Sequence, residues 1–73
     1  MLKLSHAKIG KKYKVEKLTL LDSLSKRLAI LGVNVGVCIE LLALYKHGAM
    51  LKTSSGKIAL GADLLDAIVV TVV

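Results

Sequence analysis

Polar and apolar residues alternate from Lys11 to Leu18. Tyr13, Val15 and Lys17 fall on one face, and Lys12, Lys14 and Glu16 on the other. A period of two predicts a half-buried strand. From Leu20 to Leu31 the period lengthens. Leu21, Leu24, Leu28 and Leu31 recur at three- and four-residue steps, which is one stripe of a helix. Thr19 or Asp22 can serve as its N-cap. Lys26 and Arg27 sit toward its C-terminal half, where the helix dipole favours positive charge. Gly32 supplies the left-handed residue that ends such helices. After a turn at Val33–Gly36 the period returns to two. Val37, Ile39, Leu41, Ala43 and Tyr45 share one face, and Cys38, Glu40, Leu42 and Leu44 the other. Because both faces are largely apolar, this long strand fits a barrel strand shared by two sheets.

The remaining segments are short and punctuated by glycine. Leu4 to Ile9 predicts one helical turn, capped by Ser5 and stopped at Gly10, with Leu4 and Ile9 plugging one end of the core. Lys46-His47-Gly48 is a hairpin turn and Ala49 to Thr53 the returning strand. Ser54-Ser55-Gly56 is a second turn, and Lys57 to Leu60 a short fourth strand. Gly61 to Asp66 is a single helical turn with Asp63 near its start. Ala67 to Val73 is β-branched almost throughout and predicts the closing strand. Its Val-Thr-Val-Val end would be an aggregation hazard as an open edge, so barrel closure, or pairing with a second copy in a homodimer, must cover it. Five short strands and one helix make a mostly-β fold, a small five-stranded barrel.

Composition narrows the function. With 73 residues the chain is expected to form one domain over 1–73. That is just inside the range, roughly 55–80 residues, where one core suffices. Carving a pocket of about 300 Å³ from so few residues is difficult, which favours a binding module over an enzyme. No cofactor is implied. Eleven basic against five acidic residues give a net charge of +6, which keeps an apolar small domain dispersed or attracts an anionic partner. Cys38 is the only cysteine, so no internal disulfide forms and a reducing cytosol fits. No secretory signal is recognisable. Leu28 to Tyr45 has the length of a marginal membrane span. However, Glu40 interrupts it, and an acid deep in a bilayer costs about 2.5–3.5 kcal/mol or more. No membrane span is expected.

The search for chemistry returns little. His6, His47 and Cys38 have no zinc-site spacing among them. Cys38 lacks a base or an electropositive opening beside it in the sequence. Asp63 and Asp66 lie three apart on a helical turn, where capping explains them. Ser54-Ser55-Gly56-Lys57 lacks the frame of a phosphate loop. Lysines 3, 8, 11, 12 and 14 cluster early, but only Tyr13 stands among them for base stacking. No nucleic acid is expected on that ground.

Three local patterns point to a family. Leu4-Ser5 is followed by Gly10 and a basic strand. Lys26-Arg27-Leu28-Ala29-Ile30-Leu31-Gly32, then Gly36, is similar to an R-x-x-L-x-x-L-G-x-x-x-G pattern at a helix end. Ile58-Ala59-Leu60, Asp63 and Ile68-Val69-Val70 are similar to a closing L-A-L, acidic turn and final strand. Together they resemble FeoA, the ferrous iron transport protein A family, across nearly the whole chain. At the central hairpin the family often has P-L-G-D-P, where this chain reads Lys46-His47-Gly48-Ala49-Met50. The resemblance implies an SH3-like barrel in the bacterial cytoplasm. It also implies a partner, FeoB, a membrane ferrous iron transporter with a cytoplasmic G-domain, which would bring the chain to the inner face of the membrane. The implied contact is the helix end: Lys26, Arg27 and Leu28, with Leu31 and Gly32 shaping it. Leu28 has two readings, as core continuing the leucine stripe or as a partner contact at its edge. Two alternatives stand beside this one. The first is a basic SH3-like module binding nucleic acid through Lys11, Lys12 and Lys14. The second is a metal-responsive module using His6, His47 or Cys38.

Overall fold

The computed structural model describes all 73 residues. Six strands and two helices follow in the order β1 (Leu2–Lys3), β2 (Lys12–Leu18), α1 (Asp22–Ile30), β3 (Cys38–Tyr45), β4 (Gly48–Thr53), β5 (Gly56–Gly61), α2 (Ala62–Leu65) and β6 (Ile68–Val72), with a 3-10 turn at Leu4–His6. All pairings are antiparallel and form one curled sheet in the order β1-β6-β2-β3-β4-β5. The architecture is the mostly-β, SH3-like one that the sequence predicts. The sixth strand, β1, is too short to leave a periodicity signal and forms by pairing Leu2 with Val70 and Lys3 with Val69. The sheet does not close into a hydrogen-bonded ring, since β1 and β5 are its edges. The closing strand β6 pairs with β2 from Ile68 to Val72 but with β1 only at Val69 and Val70, so beyond Val70 one side of its apolar end is unpaired.

The core comes from the inward residues of the strands. Val15, Leu41, Leu51, Ile68 and Val70 are fully buried, joined by Ile39, Ala49, Leu60, Leu65 and Leu28. Leu4 plugs one end from the 3-10 turn. Ile9, expected beside it, is 57% exposed, because the turn ends at His6 and the chain extends outward before Gly10. Tyr13 is buried with its hydroxyl accepting the Lys8 N–H at 2.8 Å, which satisfies its one polar atom. Gly48 sits where a Cβ would lie 2.1 Å from the Leu60 carbonyl oxygen, so the β4–β5 pair closes only over a glycine.

Two bulges change which side chains point inward. One lies between Leu41 and Ala43 against β4, and shifts the parity of β3. Leu44 therefore packs on the core, and Tyr45, expected on the inner face, is 63% exposed. The other lies between Val15 and Lys17 against β6, so Lys17 leaves the Tyr13–Val15 face and is exposed.

The expected caps are replaced. Leu21 takes the N-cap position of α1 with no side-chain bond, while Asp22 lies in the first turn and Thr19 donates to the Ala67 carbonyl at 3.1 Å. Ser5 likewise does not cap the 3-10 turn. Its hydroxyl donates to Asp66 Oδ1 at 2.6 Å and ties that turn to the end of α2.

Candidate functional site

The C-terminal end of α1 is fixed by its own backbone. Gly32, at φ +94°, lets the N–H groups of Gly32 and Val33 turn back to the carbonyls of Ala29 and Leu28, at 3.0 and 2.9 Å. These are the two bonds of a Schellman motif. Leu28 and Val33 are both buried in the core cluster and supply the apolar contact that accompanies such an end. The carbonyl of Leu31, past the last turn, has no partner within the helix. It accepts from the hydroxyl of Thr53, which reaches across from β4 at 2.9 Å. A Cβ at position 32 would lie 2.8 Å from the same Thr53 oxygen. Gly32 is thus required both by φ and by the close approach of the β4–β5 hairpin.

The leucine stripe is covered only in its middle. Leu28 is 3% exposed and anchors the helix. Leu24 is half-buried, whereas Leu21 is 75% and Leu31 36% exposed. Ile30, about 200° round the helix from Leu28, is 81% exposed, and Val35 just beyond the end is 61% exposed. Lys26 and Arg27 are exposed beside them. The five residues singled out from the sequence thus divide. Lys26, Arg27 and Leu31 offer side chains to the outside. Gly32 is buried, and Leu28 sits in the core beneath them. Ile30 and Val35 are exposed at the same helix end and Leu21 at the other, and none of the three was singled out. Ile30 and Val35 were legible as apolar residues off the stripe. Leu21 was not, because its position on the stripe predicts burial. The buried Thr53 left no sequence signal at all.

A second feature is a shallow cleft of about 230 Å³ on the sheet, lined by Lys12, Cys38, Ile39, Glu40, Lys52 and Thr53. In register, Glu40 faces Lys12 on one side and Lys52 on the other. Lys11, Lys12 and Lys14 are exposed, but Tyr13 between them is buried and presents no ring for stacking. His6 ends the 3-10 turn, His47 lies in the β3–β4 loop and Cys38 is exposed at the start of β3. Nowhere do three or more His, Cys, Asp or Glu side chains come together. No helix is long and apolar enough to cross a membrane. The stretch from Leu28 to Tyr45 is divided between α1, a turn and β3.

A family model described as FeoA domain matches residues 2–72. The chain belongs to the FeoA family. This is a family of ferrous iron transport accessory proteins. Solved structures agree. The FeoA protein of Chlorobium tepidum superposes with a TM-score of 0.89 at 19% identity, over 99% of this chain and 70% of that one. The iron(II) transport protein A of Clostridium thermocellum gives 0.88 at 26% identity, over 99% of this chain and 46% of that one. ScaR, solved with bound Zn²⁺, gives 0.87 at 24% identity, over all of this chain and 37% of its own. The chain thus spans less than half the length of the last two proteins. No curated protein sequence matches it.

Proposed function

We propose that this FeoA-family chain acts by binding, as a cytoplasmic accessory of a FeoB-like membrane ferrous iron transporter. In this reading it docks on the cytoplasmic G-domain side and is held at the inner face of the membrane by that partner. The observation that carries the proposal is the exposed apolar surface around α1. Ile30, Leu31 and Val35 stay in water at the C-terminal end of the helix, where Lys26 and Arg27 are also exposed, and Leu21 stays in water at its other end. Large apolar side chains left in water at one helix end cost solubility, which is offset when a partner covers them. An apolar anchor bordered by basic groups fits a partner face with an apolar socket and an acidic rim. Leu28 enters as the anchor that holds this surface, with Gly32 and Thr53 setting its end.

The test is capture of the cytoplasmic part of FeoB from the same source by the purified chain, with and without guanine nucleotide. Capture that is lost in Ile30→Ser and in Arg27→Glu, both still folded, supports the reading. Equal capture by the two variants would remove α1 as the contact. No capture by the wild-type folded chain would remove the partner.

A further inference from the structure

The far edge of the sheet carries a second surface. β5 pairs only with β4, in a ladder that runs without a register shift from Thr53↔Gly56 to Gly48↔Gly61. The bond from the Ala62 N–H to the His47 carbonyl, 2.9 Å, sets the phase of this ladder. Bonded pairs alternate along antiparallel strands. Gly56, Ile58 and Leu60 therefore direct their backbone groups to β4, while Lys57, Ala59 and Gly61 turn theirs outward. All three are exposed, and no turn or loop bond reaches their backbone groups. Edges of this kind are commonly blunted by a proline, a bulge or a charged side chain; β5 has no proline and no bulge, and its one charge is Lys57.

The charges around the edge indicate what fits it. Lys12 faces Glu40, Glu40 faces Lys52, and Lys52 faces Lys57. Across β2 to β5 the row reads plus, minus, plus, plus. Glu40 has a lysine on each side, but Lys57 has a lysine on one side and an empty edge on the other. Like charges directly opposed destabilise a sheet and opposite charges stabilise it. An acidic residue beside Lys57 would complete the alternation. On the other face, Ile58 is half-buried against the core at the margin of the sheet. We propose that β5 accepts an extended segment of a partner protein as a seventh strand, acidic beside Lys57 and apolar beside Ile58. The occupant is a foreign acidic strand rather than a second copy, since two chains of +6 repel one another. This edge belongs to the hairpin whose turn meets the end of α1, but the proposal does not depend on the docking proposed there.

The probe is a capped peptide of about eight residues alternating valine and glutamate, titrated into the isotopically labelled full chain. A valine–lysine peptide and an alternately N-methylated glutamate peptide serve as controls. The expected result is movement and slowed exchange of the amides of Lys57, Ala59 and Gly61. The glutamate peptide should bind about fivefold tighter than the lysine peptide. Lys57→Glu should reverse that preference. Ala59→Pro removes one outward N–H and no bond to β4, and should abolish binding with the spectrum still dispersed. Should that variant unfold, the reversal in Lys57→Glu decides alone. Shifts confined to Lys12 and Lys14, equal binding of both charges, or binding of the N-methylated peptide would overturn the proposal. So would concentration-dependent movement of the same three amides without peptide, which would assign the edge to a second copy.

Discussion

The centre of the sheet and helix α1 are built on opposite terms. In β2, β3, β4 and β6 the inward side chains Val15, Ile39, Leu41, Leu51, Ile68 and Val70 are each at most 2% exposed. In α1 only Leu28 reaches that interior, and apolar residues at both of its ends stay in water. The sheet stabilises the fold by burying its inward apolar side chains almost completely. The helix keeps much of its own uncovered, and is held by one leucine, a Schellman end and one threonine hydroxyl. A segment whose apolar residues are not needed by its own core is free to present them to another molecule.

The largest effect should follow from weakening the sheet. Leu41→Ala removes a fully buried side chain at the centre of the core and should cost about 2–5 kcal/mol. In a domain this small that is a large share of the expected stability, and chemical denaturation will read it directly. Gly32→Ala comes next. It places a side chain at φ +94° and 2.8 Å from Thr53 Oγ1. The φ alone costs about 1–2 kcal/mol, seen as a lowered denaturation midpoint with an unchanged slope. Thr53→Val keeps the shape but withdraws the donor from the Leu31 carbonyl and the acceptor from the Ser55 N–H, for about 1 kcal/mol each. Hydrogen exchange should then rise at Gly32, Val33 and Ser55 before it rises in β3. Ile30→Ser should be smallest, within about 0.5 kcal/mol, because the side chain is already in water. A cost like that of Leu41→Ala would erase the contrast between the two regions.

Much of this was legible in the sequence. The helix, the long strand β3, both hairpins and the closing strand follow from period and glycine placement, to within a residue or two at their ends. The rest depends on tertiary context. A two-residue strand such as β1 has no period. The bulge after Leu41 exchanges Tyr45 for Leu44 on the inner face, and one inserted residue in a pairing register leaves no mark on composition. Thr19, Asp22 and Ser5 have the chemistry of caps, but Thr19 and Ser5 bond instead across the fold to Ala67 and Asp66, while Asp22 lies inside the first turn. For the site, Lys26, Arg27, Leu31 and Gly32 were named from a pattern at a helix end, and they do lie there. The exposure of Leu21 could not be foreseen, because periodicity gives the face of a helix but not how far the sheet extends beneath it.

The most direct measurement is the affinity of the chain for the cytoplasmic part of the FeoB-like transporter proposed as its partner, determined for wild type, Ile30→Ser and Arg27→Glu alongside their denaturation curves. The account predicts unchanged curves and binding weakened about tenfold or more in each variant, as for the loss of an interface anchor. Unchanged binding in both, with the fold intact, would contradict it and detach the exposed face of α1 from function.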